Sequence, residues 1–117
     1  MNKDYRVKKS NEIEAILKNK QFYSNRYFSV YVKTNPETIH FRYAISVGKK
    51  IGNAVNRNLL KRKIRAALIE MKLNLNNNVD VFIIAKEQSK SIDYKEIYKQ
   101  LEYLFKKQKL LQGEKND

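Results

Sequence analysis

Positive charge is concentrated in one acid-free stretch, residues 38–69, whose side chains have the chemistry to bind phosphates. Arginine binds a phosphate through parallel hydrogen bonds, and lysine binds one as a compact point charge. The whole chain carries 25 Lys and Arg against 12 Asp and Glu, a formal net charge of +13. This balance favours a polyanionic partner, with nucleic acid ahead of an anionic membrane. The eight cations of the stretch are Arg42, Lys49, Lys50, Arg57, Lys61, Arg62, Lys63 and Arg65.

Most of these cations fall in residues 53–73, which have the apolar spacing of an amphipathic helix. Arg57, Lys61 and Arg65 are spaced four residues apart and therefore share one face of that helix. A charged face often serves solubility alone, but here no acidic residue offsets the repulsion between the cations. Nucleic-acid contact is therefore the better interpretation of this face. The predicted core face consists of Leu60, Ile64, Ala67, Leu68, Met71 and, further on, Leu75.

Residues for catalysis by the protein itself are scarce. His40 is the only histidine and cysteine is absent, so a histidine-based triad or a multi-histidine or cysteine metal site cannot form. The two glycines of GKKIGN lack the spacing of a phosphate-binding P-loop. Asp93 and Glu96 have the spacing of a helix cap. We predict no catalytic residue and no metal site on the protein.

The order of the predicted helices and strands indicates one domain over residues 1–117, an α/β two-layer sandwich with a mixed four-stranded sheet. Alternating stretches at 27–33 and 39–47 predict two strands that pair antiparallel, and 79–86 predicts a buried strand. Asn11 and Asp93 are the predicted caps of a first and a last helix. A further short strand is expected after residue 47, and residues 1–9 and 111–117 are expected to be flexible. No apolar run is long enough for a membrane span, which predicts a soluble, cytoplasmic protein.

Two tyrosines alternate with apolar residues in the strand predicted at 27–33. Tyr27 and Tyr31 would share one face of that strand and could stack on unpaired bases. Ordinary packing between sheet side chains explains the same pattern. The residues alone favour packing, and they leave stacking as an open alternative.

The run KKIGNAVNRNLLKRKIR resembles the signature of the bacterial ribonuclease P protein subunit, an Arg-Asn-Arg motif followed by Lys-Arg and a further basic residue. The preceding Gly-Lys-Lys loop and the αβββαβα order match that family as well. The resemblance implies a protein cofactor of a catalytic RNA, which uses Mg²⁺ to remove the 5′ leader from precursor tRNA. It also implies a left-handed βαβ crossover. The single histidine and the lack of an acidic cluster predict a protein subunit that is inactive when the RNA is absent. We predict no obligate protein partner and no membrane partner.

The resemblance also assigns roles by position. Leu59 departs from the pattern because it replaces the last arginine of the motif, and apolar residues replace frequent phenylalanines on the first helix. The implied RNA-binding residues are Arg57, Asn58, Lys61, Arg62 and Arg65 in the motif helix and Lys49 and Lys50 in the preceding loop, and the implied leader-binding residues are Ile13, Leu17 and Tyr31.

Two other functions remain compatible with the residues. A ribosome-associated or general structured-RNA-binding protein without a cleavage role would need the same positive charge. An autonomous nuclease is the weaker alternative, because no cluster of acidic residues or histidines suggests its active site.

Overall fold

The computed structural model of the chain describes residues 5–71 and 78–110, which form a mixed four-stranded sheet with helices on both faces. The α/β class and the αβββαβα order are confirmed. α2 and α3 cover one face over the larger core, and α1 covers part of the other face. The elements are α1 (Ser10–Lys18), β1 (Phe22–Ser24), β2 (Phe28–Thr34), β3 (Arg42–Val47), α2 (Ala54–Met71), β4 (Val79–Ala85) and α3 (Tyr94–Lys107).

The strand order is β1-β2-β4-β3, which places β4 in the centre of the sheet. β4 pairs antiparallel with β2 and parallel with β3, so that Ile83 lies between Val30 and Ile45. The prediction that the second and third strands pair with each other is therefore wrong. β4 is apolar almost throughout, and such a strand is stable where both of its faces are covered. β3, α2 and β4 form a βαβ unit, and the hand of its crossover stays a prediction.

The two long helices follow their predicted patterns closely. The predicted core face of α2, from Leu60 to Met71, is buried against the sheet, whereas Leu75 lies outside the described residues. The side chain of Asn53 accepts a hydrogen bond from the Asn56 N–H at 2.9 Å just before α2. Asp93 caps α3 by accepting from the Glu96 N–H at 2.9 Å, as predicted.

Several boundary predictions are wrong. α1 begins at Ser10, so Asn11 lies inside its first turn and is not its cap. β3 begins only at Arg42, whereas the predicted strand began at Ile39, which precedes β3 and is 86% exposed. The extra short strand precedes β2 as β1, and a 3₁₀ turn occupies residues 49–51 instead.

The segment before α1 is held against the sheet edge. Arg6 forms a parallel bridge with Tyr43, and the Val7 N–H donates to the Tyr43 carbonyl at 2.7 Å. Val7 is buried in the smaller core beside Ile16 of α1. These contacts join residues 6 and 7 to the sheet, whereas the flexibility expected of residues 1–9 and 111–117 stays a prediction, and residues 1–4 and 111–117 lie outside the described chain.

Candidate nucleic-acid interface

Tyr31 lies on the face of the sheet that α1 covers. The alternation of β2 sends Val30 and Val32 into the larger core and leaves Tyr31 half-buried on the other side. There it packs in the smaller core with Ile13 of α1. Leu17, one turn further along α1, is also half-buried. The structure thus brings Ile13 and Tyr31 together and places Leu17 on the same helix, and we call the region of these residues the α1–sheet surface.

Phe22 extends the aromatic part of this surface to the edge of the sheet. Its ring stacks on that of Tyr31 with a centroid distance of 4.6 Å and an interplanar angle of 20°. Phe22 lies in β1 opposite Tyr31 and remains 44% exposed. Sequence reasoning missed it because a strand of three residues is too short to show alternation. An exposed ring beside Tyr31 offers a second stacking position for an unpaired base.

Arg42 fastens α1 to the sheet through acidic residues of two elements. Its guanidinium binds Asp80 of β4 through both carboxylate oxygens, at 2.9 and 2.8 Å, and binds Glu12 of α1 at 2.9 Å. Hydrogen bonding to Asp80 raises the pKa of Arg42, and burial partly opposes that rise. Arg42 is thus occupied within the protein and is not one of the cations available to a phosphate.

The predicted motif cations lie along α2. Arg57, Lys61 and Arg65 are half-buried, whereas Asn58 and Arg62 are exposed. Within residues 5–71 and 78–110, none of these cations forms an ion pair. The Nε of Arg57 is buried and has no hydrogen-bond partner among the described atoms. A buried donor of this kind is costly when no acceptor reaches it.

Further cations lie in the turn before α2 and beside β3. Lys49 and Lys50 are exposed in the 3₁₀ turn before the helix. Arg6 forms a bridge with Tyr43 and therefore lies beside β3. Burial raises the pKa of Tyr43, and the positive charges of Arg6 and Arg65 oppose that rise. Arg6 therefore adds a cation that the motif did not predict. Leu59, which replaces the motif arginine, is exposed and apolar.

Tyr27 and Tyr31 do not form one stacking platform. Tyr27 precedes the first residue of β2, so it does not follow the alternation of the strand, and it packs against the larger core. The Arg26 guanidinium lies 5.8 Å from the Tyr27 ring centroid. The interpretation of Tyr27 as a sheet-packing residue is the better one, whereas Tyr31 remains a candidate for stacking.

His40 is engaged in packing. Its ring lies 4.2 Å from the Tyr5 ring between centroids, and its Nδ1 is 3.0 Å from the Phe41 carbonyl oxygen. Across the described residues, no group of three or more His, Cys, Asp or Glu side chains is placed to hold a metal ion. None of the helices in that part of the chain is long and apolar enough to cross a bilayer.

Comparison with known proteins gives one consistent result. The family model described as Ribonuclease P matches residues 1–109. The ribonuclease P protein component of Pediococcus pentosaceus is 45% identical over 106 residues, which cover 91% of this chain and 89% of that protein. The Staphylococcus aureus RNase P protein superposes with a TM-score of 0.84 at 39% identity, covering 91% of this chain and 96% of that one. A mutant of the S. aureus protein, described as having defective mRNA degradation activity, gives a TM-score of 0.86 at 39% identity, over 92% and 91% of the two chains.

Proposed function

The chain belongs to the ribonuclease P protein family, and on that premise we propose that it binds a catalytic RNA and the 5′ leader of precursor tRNA. Family membership implies a role in maturing tRNA 5′ ends and partnership with the ribonuclease P RNA. The proposal goes further by assigning two RNA contacts to two surfaces of the protein, which would act in the cytoplasm. The observation that carries it is the separation of the α2 cations from the aromatic α1–sheet surface.

The α2 cations are suited to the phosphates of folded RNA. Arg57, Lys61 and Arg65 project from one rigid helix whose other face is anchored in the core. Contacts to phosphates carry no information about base sequence. Such contacts suit a protein that must accept many different precursors, and they would hold both the catalytic RNA and the nearby precursor.

The α1–sheet surface is suited to a single strand. Tyr31 and Phe22 present stacked rings beside the apolar side chains of α1. Stacking of a base on an aromatic side chain contributes about 1–3 kcal/mol and depends little on which base is present. Ile13 and Leu17 can contact a nucleotide through apolar packing, although they cannot stack as phenylalanines would.

The hydrolytic step belongs, in this proposal, to the RNA subunit. Mg²⁺ bound by that RNA would supply the activated water and stabilise the leaving oxygen. The protein would hold the leader and the RNA phosphates in position, which lowers the Mg²⁺ concentration that the complex needs. The protein would therefore raise the affinity of the complex for the precursor and would take no part in proton transfer.

Reconstitution tests this function directly. The full chain would be added to a bacterial ribonuclease P RNA at a Mg²⁺ concentration too low for the RNA to act alone. We expect cleavage of precursor tRNA at the 5′ end of the mature tRNA to be restored. A protein that binds structured RNA tightly yet restores no cleavage would instead support a ribosome-associated or general RNA-binding role.

The description of the S. aureus mutant raises a second activity for comparison, the degradation of mRNA. On this chain we propose that RNA cleavage requires the catalytic RNA, because Asp93 is held in a helix cap, Asp80 in an ion pair and His40 in a packing contact. Incubating the purified chain with mRNA, without the catalytic RNA, distinguishes cleavage that requires that RNA from cleavage by the protein alone. Cleavage that survives further purification would assign a nuclease activity to the protein itself.

A further inference from the structure

A basic groove of about 360 Å³ lies between the β1 end of the sheet and the C-terminal end of α3. None of the residues that line it is acidic, and Phe22, which stacks on Tyr31, is one of them. The groove is therefore continuous with the α1–sheet surface through that ring. Its lining residues are Lys20, Gln21, Phe22, Tyr23, Lys107, Gln108 and Lys109.

Two lysines of this groove have an unusual backbone conformation. Lys20 and Lys109 have φ values of 55° and 58°, and they are the non-glycine residues with positive φ in the described chain. Each is the second residue after a helix, after α1 and α3 respectively, where glycine is the usual occupant because it has no Cβ to strain. A lysine thus lies in the groove after each helix, at a position where the backbone of a glycine would be less strained. Strain of this kind is concentrated at functional positions.

The walls of the groove are fixed to the sheet. On one side, the Val32 N–H donates to the Gln21 carbonyl at 2.9 Å. On the other, the Gln108 Nε2 donates to the Val30 carbonyl oxygen at 3.1 Å. Both walls are therefore attached to β2, the strand that also carries Tyr31. The groove and the α1–sheet surface are therefore joined through β2.

Aromatic rings are exposed on both sides of β1. Phe22 and Tyr23 are adjacent in the strand, so their side chains point to opposite faces, and they are 44% and 46% exposed. A single-stranded RNA that extends beyond Tyr31 would contact Phe22 first and then Tyr23 at the edge of the sheet. Stacking rings with lysines beside them are the features that bind single-stranded nucleic acid without sequence preference.

From this arrangement we infer that the β1–α3 groove binds the distal part of a single-stranded 5′ leader, beyond the nucleotides that contact Tyr31. Phe22 and Tyr23 stack on bases, and Lys20 and Lys107 neutralise phosphates. The inference rests on the proposed function, which supplies the leader, and extends the leader path around the edge of the sheet. It predicts a longer footprint on the precursor than the α1–sheet surface alone provides.

The test measures how affinity for precursor tRNA depends on leader length. The holoenzyme, reconstituted from the full chain and a ribonuclease P RNA, would be titrated with precursors whose leaders run from about 2 to about 12 nucleotides, a range that brackets typical single-strand sites. Tyr23→Ala should reduce affinity about fivefold or more for long leaders, the lower end of the effect of one stacked base. Lys20→Gly should also reduce the affinity for precursors with long leaders, and neither variant should change the affinity for the precursor with the shortest leader.

The Lys20→Gly variant separates binding from folding. Because glycine accepts the positive φ without strain, its Tm should equal or exceed that of the unaltered protein while its long-leader affinity falls. Lys95→Ala is the matched control, since Lys95 is an exposed lysine of α3 outside the groove lining. It removes the same charge and should leave the dependence on leader length intact.

The outcomes distinguish this inference from the proposed function. If Tyr31→Ala weakens long leaders while Lys20→Gly and Tyr23→Ala do not, the groove is not part of the leader path and the proposed function stands. If the groove variants weaken all leader lengths equally, the groove contacts the catalytic RNA or the tRNA body, and the inference is again wrong. If Tyr31→Ala and Arg57→Ala also leave both assembly and affinity unchanged, the proposed function itself fails.

Discussion

Replacing Arg42 with alanine should be among the most destabilising substitutions in this protein. Arg42 makes two hydrogen bonds to Asp80, whose residue is 4% exposed, and one to Glu12. Its loss would leave a buried carboxylate whose remaining side-chain partner is the Asn35 Nδ2, at 3.1 Å. The same substitution would release α1 from the sheet, because Glu12 is the α1 residue that Arg42 binds.

The expected magnitude follows from that burial. Removing one partner of a buried ion pair costs about 3–5 kcal/mol, and the hydrogen bond kept by Asn35 puts Arg42→Ala near the lower value. A domain of this length loses roughly 4 °C in Tm per kcal/mol, so the expected decrease is roughly 12 °C. Glu12→Gln is the matched control, because the Glu12 side chain is 33% exposed and such a contact is worth less than about 1 kcal/mol.

Thermal unfolding followed by circular dichroism at neutral pH would measure these changes. A double variant, Arg42→Leu with Asp80→Leu, should recover part of the lost stability, because it removes the buried charge along with its partner. A decrease in Tm for Arg42→Ala no larger than that for Glu12→Gln would refute the reasoning. It would mean that Asp80 is not desolvated as its burial indicates.

Four further predictions concern RNA binding, catalysis and titration. If about five phosphates are neutralised, log K for catalytic-RNA binding should fall against log salt with a slope of roughly −4, and a slope near zero would contradict the electrostatic assignment. Arg57→Ala and Arg65→Ala should weaken assembly with the catalytic RNA whatever the leader length, whereas Tyr31→Ala should cost about 1–3 kcal/mol only when the leader is long enough to reach it, as measured by precursor affinity. His40→Ala should leave holoenzyme turnover within about threefold, or 0.7 kcal/mol, and a larger loss in a steady-state assay would give His40 a role beyond packing. Burial and a hydrogen bond to Glu70 raise the pKa of Tyr94 from 10.0 to about 12, so the stabilising contribution of this contact is complete below pH 10 and is lost as the pH rises through 12. Tyr94→Phe should therefore reduce the decline of the free energy of unfolding between these pH values. An unchanged decline in alkaline denaturation would argue against this assignment.

The local parts of the fold were predictable from sequence, and the long-range pairings were not. The core face of α2 and the Asp93 cap of α3 depend on residues within a few positions of one another, which a sequence displays directly. The position of β4 between β2 and β3 depends on contacts between residues that lie far apart in the sequence, such as Phe28 and Ala85. Ile39 illustrates the same limit of sequence-based prediction. The alternation of apolar and polar residues includes Ile39, although the strand begins at Arg42.

The candidate site divides in the same way. The cations of α2 share a helix and were recognisable from their spacing, whereas Arg42 looked equivalent to them until its partners, Glu12 and Asp80, were brought together by folding. Phe22 escaped prediction because its importance comes from the ring of Tyr31 across the strand pair. A strained backbone such as that of Lys20 has no signature in the side chain that a sequence could reveal.

The central position of β4 also determines when the protein can fold during its synthesis. Thr34 pairs with Val79 and Phe28 with Ala85, so a growing chain that ends before residue 79 has no strand to join β2 to β3. Contacts this distant in sequence slow folding. At roughly 5–20 residues per second, the positively charged segment of α2 is synthesised seconds before the strand that completes its core. A chain truncated in that interval would therefore carry the cations of α2 without the central strand of the sheet on which α2 packs.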